Sequence, residues 1–119
     1  VLIDNSLGLK EFDQAVRREM AQIFGDDGLR RVPEDHAIFR SGPFEVHRPE
    51  YTLAVQSRYQ DLGKPWLEGV QWQGEFRVVY SPFDLAAGWQ GDEHPLAYGY
   101  AAGDALEIGA NLVTFFMTH

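Results

Sequence analysis

The pattern of apolar and polar residues predicts two helices. Apolar side chains spaced four, four and three residues apart form one stripe between residues 10 and 24: Phe12, Val16, Met20 and Ile23. A second helix is expected to begin at Asp104 and to carry a broad apolar face: Ala105, Ile108, Leu112, Phe115 and Phe116. Each helix therefore has a side that is suited to packing against a sheet.

Shorter apolar runs predict strands. Residues 1–3 are apolar and partly β-branched, and they end in Asp4, as expected at the carboxyl end of a buried parallel strand. Residues 67–72 and 75–80 flank Gln73-Gly74, which predicts a hairpin with a tight turn in which Gly74 has a positive φ. The first strand and the second arm of the hairpin are expected to be parallel neighbours or near neighbours in one sheet, with both helices packed on it.

The remaining stretches have little periodicity. Residues 29–65 contain four prolines, and residues 85–103 form a loop rich in glycine, alanine and aromatic residues. Residues 36–39 are expected to be a short helical turn or a strand, and residues 51–55 a short strand. Nothing in the sequence divides the chain, so residues 1–119 predict a single α/β domain whose helices cover the sheet.

Composition and charge exclude several classes of protein. Of the 119 residues, 45% are hydrophobic and 24% are charged, which excludes a disordered chain. The formal net charge of −8 argues against nucleic-acid binding and against docking on anionic lipid. The absence of cysteine excludes disulfides, thiolate catalysis and cysteine-based zinc sites. No apolar run approaches the roughly 18 residues that cross a bilayer, so direct membrane insertion is not expected.

Several short motifs stand out, and their order is as informative as their content. Along the chain they are Val1-Leu2-Ile3-Asp4 before a helix with Phe12-Asp13, Asp35-His36-Ala37-Ile38-Phe39, Leu67-Glu68-Gly69-Val70, Tyr80-Ser81-Pro82-Phe83-Asp84-Leu85 followed by Gly88-Trp89, and Ile108-Gly109-Ala110-Asn111-Leu112-Val113. Together they resemble the bacterial family named domain of unknown function 4159. The resemblance runs from the first residue to the last.

The resemblance implies a fold and a location. It implies a flavodoxin-like three-layer α/β sandwich, related to class I glutamine amidotransferases, with a mostly parallel sheet and a late hairpin. Members of the family have a strand and a helix before the first strand seen here, so the chain is expected to correspond to the later part of the family domain. Many members look exported, which implies an extracytoplasmic location. The family has no established activity.

Two acidic residues follow predicted strands. Asp4 and Asp84 each lie just past the carboxyl end of a predicted strand, and ligands of open α/β sheets bind at this edge, where the loops diverge. A carboxylate there is able to act as a base, ligate a metal or hold a sugar hydroxyl. It is equally able to accept backbone N–H groups and fix a turn, and both interpretations stay open for each residue.

Two ring-bearing residues are further candidates. His36 is either a base or ligand, or a loop imidazole that bonds the backbone and fixes the turn at residues 37–39. Trp89 lies in the glycine-rich loop after Asp84, where its ring is either a platform for a sugar or an anchor on the sheet edge. The acidic stretch Gly91-Asp92-Glu93-His94 is interpreted as a solvated loop, and no metal or other cofactor is predicted.

These observations lead to two hypotheses of different class. The first is a non-catalytic domain that binds a small polar ligand such as a carbohydrate, or that serves in assembly, with Asp4, His36, Asp84 and Trp89 around one cleft. The second is a carbohydrate-active enzyme that uses the same Asp and His side chains. Because natural proteins protect exposed strand edges, a sheet that begins at Val1 is expected either to have a partner chain, a swapped segment or an upstream segment along its first strand, or to be rearranged within this chain so that the edge is covered.

Overall fold

A computed structural model describes residues 1–5, 8–25, 28–40, 49, 51–52, 55–56, 65–85 and 99–118. The strands are β1 (Leu2–Asp4), β2 (Arg30–Arg31), β3 (Glu68–Trp72) and β4 (Glu75–Ser81). The helices are α1 (Lys10–Phe24) and α2 (Ala102–Thr118), with a short 3-10 helix at Ala37–Phe39. Within these ranges no helix is both long and apolar enough to cross a membrane.

The described strands form one mixed sheet in the order β1-β4-β3-β2. β1 pairs with β4 in parallel, and Leu2 lies opposite Val79, which confirms the predicted neighbours. The pairs β3–β4 and β2–β3 are antiparallel. The expectation of a mostly parallel sheet is therefore wrong for these strands, because the hairpin and the two-residue strand beside it supply the other two pairings.

The predicted hairpin is confirmed, and its turn follows from two residues. Gln73 and Gly74 both have a positive φ, 55° and 82°, which is the backbone of the two-residue turn that matches the twist of antiparallel strands. The register of the hairpin shifts once, between Val70 and Gln71. Such a shift adds one residue to a strand and turns the following side chains to the other face of the sheet.

The two helices cover opposite faces of the sheet. Successive residues of a strand point to opposite sides. Tyr80 of β4 points to α1, where its hydroxyl donates to Asp13. Val79 points the other way, into the apolar core that contains Ile108 and Leu112 of α2. The sheet is thus the middle layer between α1 and α2.

The apolar stripe predicted on α1 is buried only in part. Val16 is buried, whereas Phe12 and Ile23 are 42% and 63% exposed. The polar residues Asp13 and Arg17 reach the strands instead, through hydrogen bonds to β4 and β3. Helical spacing thus identified the residues of the apolar stripe, but of these four only Val16 is buried.

The irregular stretches give mixed outcomes. Residues 36–39 include the 3-10 helix, so the predicted turn is confirmed and the strand is not. Of residues 51–55, Tyr51 forms an isolated antiparallel bridge with Tyr100, Val55 has helical backbone, and residues 53–54 lie outside the described ranges. β2 was not predicted, because two adjacent arginines carry no strand pattern. α2 begins at Ala102, two residues before the predicted start.

Candidate functional site

Asp4 and Asp84 lie at the same edge of the sheet. Asp4 is the last residue of β1 and lies opposite Ser81, the last residue of the parallel strand β4. Asp84 follows three residues after Ser81 along the chain. Because parallel strands end at one edge, the geometric condition for a shared site at the carboxyl edge is met.

The Asp4 carboxylate joins the two chain segments directly. Its Oδ1 accepts a hydrogen bond of 2.9 Å from the backbone N–H of Leu85. Asp4 itself is half-buried at this edge. The bond fixes Leu85, the residue after Asp84 and the last one described before residue 99.

Asp84 is enclosed by backbone from two other segments. It is 2% exposed and forms a parallel bridge with Gly99, while its carbonyl oxygen accepts from the N–H of Tyr100 at 3.1 Å. Gly99 also pairs with Thr52, whose N–H donates to the Gly99 carbonyl oxygen at 2.8 Å. Leu85 and Gly99, the residues on either side of residues 86–98, are therefore held close together.

Polar side chains are concentrated at this end of the sheet. Asn5 and Ser81 are fully buried there, and the Asn5 N–H donates to the Ser81 carbonyl oxygen at 3.1 Å. The Asn5 side chain accepts from the Leu9 N–H at 3.0 Å and donates to the Leu9 carbonyl oxygen at 2.9 Å, so it shapes the turn into α1. Within the part of the chain that the structure describes, no group of three His, Cys, Asp or Glu side chains is placed to hold a metal ion.

His36 lies away from the two aspartates. Its Nδ1 accepts from the Ile38 N–H at 3.1 Å, as the turn-fixing interpretation predicts. Its ring packs edge-on against Phe76, 5.1 Å between centroids, and against Phe115 at 5.6 Å. Phe76 stands at the start of β4 and Asp84 beyond its end, so the structure does not bring His36 to the carboxyl edge.

The other predicted candidates lie outside the described residues. Trp89 and the stretch 91–94 fall within residues 86–98. The two residues that bound this segment, Leu85 and Gly99, are described, and both belong to the aspartate edge. The segment that carries Trp89 is thus bounded on both sides by residues of this edge.

Comparison with protein families identifies the chain. The family model described as Domain of unknown function (DUF4159) matches residues 1–117. The chain belongs to this family. Comparison with curated proteins finds no relative that matches it.

In this DUF4159 domain, a second polar group lies under α1, and the sequence analysis did not single it out. Arg17 forms two hydrogen bonds of 2.9 and 2.7 Å to the carboxylate of Glu68 and a third of 2.9 Å to Asp13. The Trp66 indole N–H also donates to Glu68, at 3.3 Å. The signal for this group in the sequence is the i,i+4 spacing of Asp13 and Arg17, which is typical of an ion pair on an exposed helix face.

Either hydrogen bonding or burial raises the pKa of Arg17, Tyr51 and Tyr100. The hydrogen bond with Glu68 is the main cause of a raised pKa of Arg17. Arginine is charged at any ordinary pH even without this shift. Burial raises the pKa of Tyr51 to about 12. Burial also raises the pKa of Tyr100, whose hydroxyl donates to the Trp66 carbonyl oxygen at 2.6 Å and accepts from the Trp66 N–H at 2.9 Å. These groups are structural rather than parts of the aspartate edge.

Proposed function

We propose that this domain is a non-catalytic binding module whose site is the aspartate edge, formed by Asp4, Asp84 and the loop that carries Trp89. The ligand class we favour is a small neutral polar molecule such as a carbohydrate. The observation that carries the proposal is the hydrogen bond from the Leu85 N–H to Asp4, because it fixes the start of the Trp89 loop beside a half-buried carboxylate.

The chemistry of the edge favours a neutral polyol over an anion. Two carboxylates repel a phosphate, whereas carboxylate oxygens accept hydrogen bonds from sugar hydroxyls. Asp4 is the more accessible of the two and is the group that a ligand would contact, while Asp84 supports the edge from beneath. An indole ring in the adjoining loop is suited to stacking on the apolar face of a sugar.

The alternative is a carbohydrate-active enzyme that uses Asp4, His36 and Asp84. A catalytic base has to reach the proton that it removes, within about 3 Å or through one water. His36 packs against Phe76 and Phe115 at the other end of β4, which disfavours a role for it in that constellation. The chain also has no cysteine to act as nucleophile. We therefore place the binding hypothesis first.

We extend the proposal to fold relationship and context. A flavodoxin-like, amidotransferase-related fold is supported by the parallel pair β1–β4 between helices on opposite faces. We also infer that the chain corresponds to the later part of the family domain, and that the protein works outside the cytoplasm, as the resemblance implies. An assembly role for the same domain is compatible with ligand binding.

Isothermal titration with sucrose, maltose and lactose tests the site, and glucose 6-phosphate serves as the anionic comparison. We expect a neutral sugar to bind and the phosphate ester not to bind. Asp84→Ala should weaken sugar binding by about 1–3 kcal/mol through the edge that it supports, because it leaves buried polar groups beneath Asp4 unpaired. Asp4→Asn keeps an oxygen that accepts from the Leu85 N–H and removes the charge. The variant should therefore fold normally, and a loss of sugar affinity would be due to the missing charge.

Tryptophan variants supply a matched control. Trp89→Ala should weaken sugar binding, whereas Trp72→Ala, which removes a 64% exposed tryptophan beside the hairpin turn, should leave it unchanged. A sugar that binds Asp4→Asn, Asp84→Ala and Trp89→Ala as tightly as the unaltered protein would overturn the site. New products in the incubated sugar, lost in Asp84→Ala, would favour the enzyme instead.

A further inference from the structure

The side of α2 that points away from the sheet is apolar. The side toward the sheet packs in the core through residues such as Ile108 and Leu112. At 100° per residue, the opposite side carries a second row of apolar residues, here called the outer stripe, with spacings of four, three and four: Leu106, Ala110, Val113 and Met117. Leu106, Val113 and Met117 are 52%, 59% and 81% exposed. A helix that is apolar on opposite sides is normally buried on both.

The other helix shows what a solvent-facing side of this domain carries. On α1 the side away from the sheet is polar and exposed: Glu11, Gln14, Arg18 and Gln22. The charged residues of α2 are Asp104 and Glu107, and residues 108–118 contain none. Further helices of the same layered domain would lie beside α2, so they would not cover the side that points away from the sheet. The outer stripe therefore indicates a contact with another molecule.

The spacing of the outer stripe is the same in both directions along the helix. An antiparallel copy of α2 would therefore place Leu106 opposite the partner's Met117, and Ala110 opposite the partner's Val113. Each contact occurs twice about a two-fold axis between residues 111 and 112, as a symmetric dimer requires. The small Ala110 meets a branched side chain near the axis, and two longer side chains meet at each end. The stripe is thus complementary to itself.

The acidic residues of the chain stay clear of such a contact, despite the net charge of −8. Glu107 is the charged residue of α2 nearest to the axis, at four and a half residues from it. Two copies of Glu107 in antiparallel helices are then nine residues apart, or about 13 Å at 1.5 Å per residue. That separation exceeds the screening length of about 8 Å at physiological salt. Parallel helices would instead set the two Glu107 side chains side by side, so the antiparallel pair is favoured.

We propose that the outer stripe is the interface of a symmetric dimer, in which α2 packs antiparallel against α2 of a second copy of this chain. The helices cross at about 20°, the angle that spacings of three and four residues produce. One helix pair buries less than the roughly 800 Å² per partner of a standard interface, so the dimer is weak, with a Kd of about 10–100 μM. Because α2 begins shortly after Gly99, the two aspartate edges lie at opposite ends of the dimer.

Sedimentation equilibrium of the 119-residue chain, from about 1 μM to about 1 mM, tests for the dimer. The chain should be monomeric at the lowest concentration and mostly dimeric at the highest. Val113→Glu puts a carboxylate at the centre of the interface and should weaken association by about thirtyfold or more. Ile23→Glu is the matched control, because Ile23 is a β-branched residue of similar exposure on α1, and it should leave the Kd unchanged. A chain that stays monomeric at about 1 mM, or a Val113→Glu variant that dimerises normally, would rule the interface out.

Cysteine crosslinking measures the direction of the two helices without relying on a disruptive variant. The chain has no cysteine, so a single introduced thiol reacts only at the chosen position. An equimolar mixture of Leu106→Cys and Met117→Cys, treated with a short bismaleimide, should give the mixed dimer. Each variant alone should give little product, because two copies of either position lie about 16 Å apart along the antiparallel pair. Crosslinking of Leu106→Cys with itself, or no crosslinking in the mixture, would contradict the antiparallel interface.

Discussion

The hydroxyl of Tyr80, in the middle layer of the fold, donates a 2.8 Å hydrogen bond to Asp13 on α1. The same hydroxyl lies 3.4 Å from the Asn5 amide nitrogen, which donates to it. Tyr80 thereby links β4, the turn after β1 and the first turns of α1. The helix is fixed on the sheet by polar contacts at this point, and not by the apolar stripe that its sequence suggests.

Removing that hydroxyl should destabilise the domain without changing its shape. Tyr80→Phe keeps the buried ring but leaves Asp13 and the Asn5 amide with one partner fewer. We expect the free energy of unfolding to fall by about 1–2 kcal/mol, the scale of a hydrogen bond to a charged acceptor. Urea unfolding followed by circular dichroism measures the change. An unchanged midpoint would show that the bond contributes nothing to stability.

The carboxylate of Glu68 should matter more for stability than that of Asp13. Both bind Arg17, but the Glu68 side chain is 10% exposed and the Asp13 side chain 27%. Glu68→Gln should cost about 1–3 kcal/mol, because it leaves the guanidinium facing a neutral, partly buried group. Asp13→Asn retains an oxygen for Tyr80 and should cost about 0.5 kcal/mol. Equal losses in chemical unfolding would contradict this ranking.

Gly99 should not tolerate a side chain, because Asp84 lies against it. A Cβ at Gly99 would be 2.5 Å from the Asp84 carbonyl oxygen and 2.9 Å from the Asp84 Cβ. Gly99→Ala should therefore cost about 2 kcal/mol or more, as backbone has to move. At Gly103, in the first turn of α2, a Cβ meets nothing within 4 Å. Gly103→Ala should be neutral or stabilise by up to about 1 kcal/mol, and thermal unfolding of both variants checks the contrast.

Alkaline solution should unfold the domain through its buried tyrosines. Burial raises the pKa of Tyr51 to about 12 and raises those of Tyr80 and Tyr100 as well, above the ordinary value of about 10. Raised folded-state values mean that stability is fully present below about pH 10 and is lost as the pH rises through the folded-state values. Tyrosinate absorbance and circular dichroism should change together above about pH 10. Ionisation of all five tyrosines of the chain without loss of structure would contradict the prediction.

The sequence predicted the helices and strands better than it predicted the contacts between them. α1 and the hairpin were located because spacing and turn residues are local signals. The ion pair of Arg17 with the buried Glu68 was not foreseen, since it depends on which side of a helix meets a strand far away in sequence. The shared edge of Asp4 and Asp84 followed from the direction of the parallel strands alone. The position of His36 could not be predicted in this way, because it lies in a turn between prolines and not at the end of a strand.

The parallel pairing of β1 with β4 also bears on the order in which the domain assembles. During synthesis Leu2 is made long before its partner Val79, whereas β3 and β4 are joined by two residues and are able to pair at once. Contacts between residues distant in sequence carry a loop-closure cost and slow folding. β1 should therefore dock late, onto a hairpin that already exists. The aspartate edge, which needs β1 in place to hold Leu85, is then completed only at the end of folding.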